Sequence, residues 1–168
     1  NWEVTVSFPE AWSVCASALP ESEKLMQGVR TSVFQAHGLR DFTLAFTKDF
    51  ALVSGMSGQT RLDCYARSHK QAEQMLRIAF KAMEIHREAF GELIYPSVTL
   101  CEADFPFSGM EYPRMILLSS DLIGRGTESM LEPIVHELAH QWFAMQVGSD
   151  SFRHAWQDET LCVYAYLN

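Results

Sequence analysis

The sequence lacks any long hydrophobic run, and no apolar stretch reaches the roughly 18 residues that a membrane-spanning helix requires. It also lacks a basic N-terminal region followed by an apolar segment, so it carries no recognisable secretory signal. These absences predict no membrane-spanning helix and leave the compartment open between cytoplasmic and exported. Because the chain starts at Asn1 and not at Met, we expect it to be a piece of a longer protein.

Positive charge is scarce, with 13 Lys and Arg residues against 21 Asp and Glu residues and a formal net charge of −8. The basic residues are scattered and form no stripe that would neutralise nucleic-acid phosphates. We therefore expect no nucleic acid as a partner. We interpret the excess of acidic residues as ordinary surface charge that favours solubility.

Cysteine pairs are missing as well, because Cys15, Cys64, Cys101 and Cys162 form no C-x-x-C motif. Four widely spaced cysteines predict neither a dense disulfide framework nor a thiolate metal site. We interpret them as small core residues. An apolar content of 48% is ample for a packed interior.

The first part of the chain has the alternating pattern of half-buried β-strands. Val4, Val6 and Phe8 alternate with polar residues, which is the period of a strand. Turn signals such as His37-Gly38 separate this strand and its successors. We predict an antiparallel β module over residues 1–66. Further strand-like segments are expected at 12–16, 29–36, 42–47, 50–54 and 60–66.

The pattern changes near Ser68 from alternation to helical periodicity. Apolar residues then recur every three or four positions as far as Gly91, which predicts one long helix with Ser68 as its N-cap. Two strands are expected at 96–100 and 112–119, and a second helix over about residues 129–147. The fold class is therefore α+β, with a second domain over residues 67–168.

The second predicted helix carries the pattern H-E-x-x-H at residues 136–140. Histidines four residues apart lie on one face of a helix, so His136 and His140 can bind one metal ion from the same side. Glu137 can then face a metal-bound water. Catalytic zinc usually has three protein ligands, and Glu159, with eighteen residues between it and His140, is the third candidate. The sequence thus predicts a zinc site.

An ordinary helix with two histidines is the alternative interpretation of the five-residue pattern. The neighbouring Leu138, Trp142 and Phe143 favour a partly buried cleft instead, in which histidines need partners and a metal supplies one. His154 is a weaker rival ligand, because its distance from the histidine pair fits no common motif.

The segments 136–143 and 156–159 together resemble the zinc signature of the aminopeptidase N-type gluzincin family. Residues 108–113, S-G-M-E-Y-P, are similar to the G-x-M-E-N motif of that family. They match at Met110 and Glu111 and depart at Ser108 and Tyr112, where the family motif has Gly and Asn. The G-M-E-Y-P form resembles bacterial branches of the family.

This resemblance implies a zinc aminopeptidase that hydrolyses N-terminal residues of peptides. It implies that residues 1–66 are the closing strands of an N-terminal β domain. Residues 67–168 would be the first, truncated part of a thermolysin-like zincin catalytic domain. In this picture Glu137 is the general base, and Glu111 binds the α-ammonium group of the peptide. The implied zinc ligands are His136, His140 and Glu159, and the implied substrate-binding residues are Gly109, Met110 and Glu111.

The resemblance also places a transition-state-stabilising tyrosine beyond Asn168, so we expect these 168 residues to be inactive alone. Their last helix is rich in apolar residues as far as Asn168, and where its natural cover is missing we expect it to be frayed or to self-associate with a second copy. Two other functions stay open. One is a non-catalytic zinc-binding scaffold of the same fold, and the other is a zinc-dependent epoxide or ester hydrolase.

Overall fold

The computed structural model describes residues 1–150 and 152–167, so that Ser151 and Asn168 lie outside the described part. Strands dominate the first third of the chain, and helices alternate with strands afterwards. This combination of mixed sheets and helices confirms the predicted α+β class. The elements are β1 (Trp2–Pro9), β2 (Trp12–Ala16), β3 (Pro20–Met26), β4 (Val29–Ala36), β5 (Leu44–Lys48), β6 (Ala51–Ser57), β7 (Thr60–Ala66), α1 (His69–Phe90), β8 (Ser97–Ala103), β9 (Gly109–Tyr112), β10 (Met115–Ser119), α2 (Ser120–Gly124), α3 (Thr127–Ala139) and α4 (Trp156–Leu167).

The first five strands form two antiparallel sheets, one with the order β1-β4-β3 and one that pairs β2 with β5. Strand β3 was not predicted, since no strand-like segment was expected between residues 16 and 29. Every side chain of β3 is exposed, so its sequence carries no alternation between buried and exposed positions. Its backbone pairing with β4 holds it in the sheet.

A five-stranded mixed sheet with the order β6-β7-β8-β10-β9 forms the platform for the second half of the chain. Strands β7, β8 and β10 run parallel to one another, while β6 and β9 are antiparallel edge strands. The crossover from β7 to β8 is made by α1, since parallel neighbours cannot be joined by a tight turn. This sheet crosses the predicted division after residue 66, and that division stays a prediction.

Helix α1 confirms the prediction made from the spacing of its apolar residues. The hydroxyl of Ser68 accepts a hydrogen bond from the Gln71 amide, which caps the N-terminus, and Gly91 follows the last turn. The buried stripe packs into the main core together with Phe34 of β4 and Leu138 of α3. The two predicted units of the chain therefore share one continuous core.

Helix α3 is shorter than predicted and is displaced towards the N-terminus. It begins at Thr127, where the Ser129 hydroxyl donates to the carbonyls of Leu122 and Gly126 and does not cap the helix. It ends at Ala139, where the regular ladder gives way: the Gln141 and Trp142 amides bond to carbonyls three residues earlier, and from Met145 onwards the amides bond to carbonyls five residues earlier. The second histidine of the motif is consequently the C-cap residue of α3 and does not lie in its interior.

The predicted strand over residues 112–119 is instead a hairpin of β9 and β10, and Arg114 in the turn has a φ of 64°. Glu111 therefore lies within β9, and not at the junction of a loop and a strand. The four cysteines are buried and unpaired, as predicted. Among the described residues, no helix combines the length and the apolar character that crossing a membrane requires.

Helix α4 packs against α3 through Ala139, Cys162 and Ala165. Its other faces leave Trp156, Leu161 and Val163 exposed. Self-association through this helix stays a prediction. The prediction for the end of the helix concerned Asn168, which lies outside the described residues.

Candidate metal centre

The two histidines of the motif face each other from the last turn of α3. Their Nε2 atoms lie 3.2 Å apart, and the ring planes meet at 76°. The side chain of His140 is buried, with 1% of its surface exposed, while that of His136 keeps 21%. The helical spacing of four residues thus produces the predicted pair, with one nitrogen open to a cleft.

Glu159 in the first turn of α4 approaches both histidines. Its Oε2 lies 3.2 Å from Nε2 of His136, and its Oε1 lies 3.7 Å from Nε2 of His140. The packing of α4 on α3 brings this carboxylate across eighteen intervening residues. The structure therefore brings together the three residues that the sequence indicated as ligands.

The spacing of these donor atoms fits a tetrahedral zinc ion. Ligand atoms about 2.0–2.1 Å from zinc at tetrahedral angles lie about 3.3 Å from one another. The two histidine nitrogens lie 3.2 Å apart, and they lie 3.2 Å and 3.7 Å from the two different oxygens of the Glu159 carboxylate, separations that are close to that value. Two imidazoles and one carboxylate also form a donor set that is usual for catalytic zinc. The site is chemically and geometrically suited to this ion.

A second contact sets the tautomer of His140. Its Nδ1 lies 3.3 Å from the carbonyl oxygen of Phe143, which is an acceptor, so the proton belongs on Nδ1. The lone pair then lies on Nε2, which faces His136 and Glu159. Burial lowers the pKa of His140, against the opposing effect of nearby carboxylates, and this favours the neutral imidazole that binds metals.

Glu137 lies beside the histidine pair in a more enclosed position. It is buried, and its Oε2 has no hydrogen-bond partner among the described residues. Burial and the neighbouring carboxylates of Glu111 and Glu159 raise the pKa of Glu137 to about 8. An unpartnered buried oxygen is costly in a purely structural residue, and at a catalytic site it is free to meet a substrate or a water.

Strand β9 brings the acidic side chain of Glu111 to the same place. Glu111, Glu137 and His140 each place a ligand-type atom within 4.8 Å of those of the other two. The neighbouring Gly109 lies against the Glu137 side chain, where a Cβ atom would overlap it. The carboxylates of Glu111 and Glu137 therefore form an acidic pair beside the candidate zinc ligands, on the side of edge strand β9.

A cleft of about 420 Å³ opens beside the cluster, between the start of β9 and helices α2 and α3. It gives solvent and ligands access to His136 and Glu137. Two further residues of the sequence analysis lie outside the cluster. Met110 pairs with Leu117 in the hairpin, and His154 belongs to no metal-binding group among the described residues. The cleft is lined by Ser108, Arg125, Ser129, Glu132, His136 and Glu137.

The sequence analysis missed the role of Gln141, which directly follows His140. Its side chain is fully buried and hydrogen bonds to the backbone of Tyr112, at the end of β9, and of Arg114, in the β9–β10 turn. The sequence gives one signal for it, namely a polar residue amid the apolar neighbours of the motif. The partners could not be foreseen, because they are backbone groups 27 and 29 residues away.

The chain is similar to several fungal enzymes. It is 34% identical over 103 residues to leucine aminopeptidase 2-1 of Scheffersomyces stipitis, which covers 61% of this chain and 15% of that protein. The corresponding values for leucine aminopeptidase 2 of Candida albicans are 34% over 102 residues, 60% and 15%. The match thus spans a small part of each relative. Since these relatives are fungal, the bacterial branch suggested by G-M-E-Y-P stays a prediction.

The family profile described as "Peptidase family M1 domain" matches residues 74–168. The matched range is more than half of the chain, and it contains β9, α3 and the first turn of α4. These are the elements that carry the histidine pair and the surrounding carboxylates. The chain therefore belongs to peptidase family M1.

Proposed function

We propose that this chain carries the zinc site of an aminopeptidase, which removes N-terminal residues from peptides. The observation that carries the proposal is the convergence of Nε2 of His136, Nε2 of His140 and the Glu159 carboxylate at the spacing of a tetrahedral zinc site. Membership in peptidase family M1 and the similarity to proteins named leucine aminopeptidase support the same activity.

His136, His140 and Glu159 would hold the ion, and the cleft beside His136 would admit the peptide. When bound, zinc lowers the pKa of a coordinated water towards about 7 and polarises the scissile carbonyl. The Nδ1–H group of His140 keeps its bond to the Phe143 carbonyl and so keeps Nε2 turned towards the ligand position.

Glu137 acts as the general base in this proposal. It follows the first histidine and is not one of the three converging ligands, so its carboxylate can take a proton from the attacking water. It then passes that proton to the leaving amine. The unpartnered Oε2 supports this role, because no described protein group competes for it.

Glu111 determines that the substrate is bound by its N-terminus. Its carboxylate lies on edge strand β9, next to Glu137, where it can pair with the α-ammonium group of a peptide. An ammonium group held there places the first peptide bond of the substrate at the metal site. This geometry favours an aminopeptidase over an endopeptidase, which must bind chains without a nearby N-terminus.

The remainder of the catalytic machinery is proposed to lie outside these 168 residues. We propose that residues 1–66 belong to an N-terminal β domain and that residues 67–168 begin a thermolysin-like catalytic domain. The tyrosine that stabilises the transition state would lie further along the full-length protein. The five converging side chains would then be the metal-binding and amine-binding part of a larger active site.

The test is hydrolysis by the full-length protein of a leucyl anilide, its N-acetyl form, a simple ester and an epoxide. We expect chelator-sensitive hydrolysis of the free-amine anilide, and a Glu111→Gln variant should lose most of its preference for it over the N-acetyl form. Zinc binding with no hydrolysis of any substrate would instead indicate a scaffold. Turnover of the ester or the epoxide alone would indicate the other hydrolase activity.

A further inference from the structure

Gln141 links the end of the metal-binding helix to the hairpin that carries Glu111. Its side-chain oxygen accepts a hydrogen bond of 2.8 Å from the Arg114 amide, and its side-chain nitrogen donates one of 3.1 Å to the Tyr112 carbonyl. Tyr112 is the last residue of β9, and Arg114 lies in the β9–β10 turn. Gln141 is fully buried, so these bonds are made away from competing water.

The turn held by Gln141 has a conformation that needs support. Arg114 has a φ of 64°, in the left-handed region that residues with a side chain seldom occupy. Its guanidinium is buried and donates to the carbonyl and the hydroxyl of Ser97 at the start of β8. The turn is therefore fixed on one side by β8 and on the other by Gln141, and such support maintains strained backbone.

Strand β9 depends on this support because it is a short edge strand. It has four residues and pairs only with β10 in the described sheet. Glu111 immediately precedes Tyr112, whose carbonyl is bonded by Gln141, and Gln141 immediately follows the candidate ligand His140. One side chain thus connects the backbone next to Glu111 to the backbone next to a metal ligand.

We propose that Gln141 is a positioning residue, which sets the distance between Glu111 and the zinc site and so determines how well the α-ammonium group of a peptide is bound. This inference rests on the proposed function and specifies how that site selects its substrate. Gln141 acts through Glu111 and does not touch the reacting atoms. Without the two hydrogen bonds, β9 would lose its side-chain link to the end of α3 and would keep its pairing with β10 and the Arg114–Ser97 contacts of the turn.

The chain offers a matched control in Gln146. Its side-chain oxygen accepts from the Ile94 amide at 2.9 Å, and its side-chain nitrogen lies 3.4 Å from the Glu92 carbonyl. This glutamine also makes two hydrogen bonds to the backbone of a loop. That loop lies between α1 and β8 and carries none of the candidate site residues. Gln141→Met and Gln146→Met therefore each remove two hydrogen bonds to loop backbone, which are shielded from solvent at Gln141 and exposed at Gln146.

The experiment measures the binding of two zinc-binding probes to the zinc-loaded full-length protein. One probe is leucine hydroxamate, and the other is 4-methylpentanoic hydroxamate, which has the same skeleton without the α-amine. The dissociation constant of the amine-free probe divided by that of leucine hydroxamate gives a ratio that reports binding of the amine separately from binding of the metal. In Gln141→Met this ratio should fall about tenfold while the amine-free probe binds as in wild type, and Gln146→Met should change neither.

Two additional measurements separate positioning from a general loss of structure. In a Glu111→Gln background, Gln141→Met should change the ratio no further, because both substitutions remove the same interaction. Amide hydrogen exchange at Arg114 should be faster in Gln141→Met and unchanged in Gln146→Met. If Gln141→Met does not fold, Gln141→Glu replaces it. The carboxylate still accepts from Arg114 but cannot donate to Tyr112, so the ratio must again fall.

The results distinguish this inference from the proposed function. A wild-type protein that binds both hydroxamates equally contradicts amine recognition and with it the proposed aminopeptidase site. A wild-type preference for the amine that survives in Gln141→Met contradicts only the role of Gln141. An additive effect of Gln141→Met in the Glu111→Gln background likewise overturns it, since Gln141 would then act by another route.

Discussion

Gly109 on β9 and Glu137 on α3 lie so close that a Cβ atom on Gly109 would be 2.6 Å from Cγ of Glu137 and 2.7 Å from its Cδ. Real Cβ contacts are longer, so any larger residue at position 109 must displace the Glu137 side chain. The absent side chain of Gly109 therefore leaves the space that the proposed general base occupies, and the position of β9 determines the position of the base.

The first prediction follows from this contact. Gly109→Ala should reduce kcat by about 10²-fold, because a displacement of about 1 Å at a reacting group has an effect of that order. Zinc content should be unchanged, since the three atoms nearest to an added Cβ all belong to Glu137, which is not one of the three ligands. Gly124→Ala is the matched control, because a Cβ there meets no atom within 4 Å. Unchanged kcat in Gly109→Ala would contradict the proposed role of Glu137.

The second prediction concerns zinc itself. The purified full-length protein should contain about one zinc ion per chain. His136→Ala or His140→Ala should remove it, because catalytic zinc usually needs three protein ligands and only two would remain. His154→Ala should retain zinc, since His154 belongs to no metal-binding group among the described residues. Elemental analysis of the four proteins is the measurement. Equal zinc in wild type and in both motif variants would rule out this site.

The third prediction separates the base from the ligands. Glu137→Gln should retain zinc, because Glu137 is not part of the converging ligand set, and should lower kcat by about 10²–10⁴-fold as a proton acceptor is lost. Glu132 on the same helix lines the cleft but belongs to no metal-binding group among the described residues, so Glu132→Gln should have a much smaller effect. Retained turnover in Glu137→Gln with zinc present would exclude the assigned role.

The sequence predicted the parts of this fold that have local causes. The spacing of four residues placed His136 and His140 together, and the stripe from Ser68 to Gly91 defined α1. Both follow from the periodicity of one helix. Glu159 was predicted from its distance to the motif, and the packing of Cys162 and its neighbours on α3 explains why that distance brings it to the site.

The parts that were missed depend on contacts between distant residues. Strand β3 has no buried side chain, so only its pairing with β4 reveals it. The end of α3 at Ala139 coincides with a change of backbone hydrogen bonding to carbonyls three and then five residues earlier, and no residue there signals a helix end. The hairpin at Glu111 makes two hydrogen bonds with Gln141, which lies 27 and 29 residues away from the bonded residues.

His86 provides a test of the fold that is separate from the active site. It is fully buried on α1, its ring packs against Phe90 and Trp142, and neither ring nitrogen has a partner among the described residues. Burial lowers the pKa of His86 to about 4, from 6.5 in a free side chain. The unfolded chain therefore binds a proton at this histidine over a range of pH in which the folded chain does not.

The last prediction concerns stability as a function of pH. The pKa of His86 is lower in the folded chain than in the unfolded chain. Its contribution to the free energy of unfolding is therefore complete above pH 6.5 and is lost as the pH falls towards 4, by about 3 kcal/mol. Urea unfolding should show this decrease in the free energy of unfolding between pH 6.5 and pH 4. A chelator is present, so that zinc adds no pH dependence of its own. His86→Leu should remove that part of the decrease, whereas His37→Leu, at an exposed turn, should retain it. Parallel pH profiles for wild type and His86→Leu would show that His86 is not kept neutral by the core.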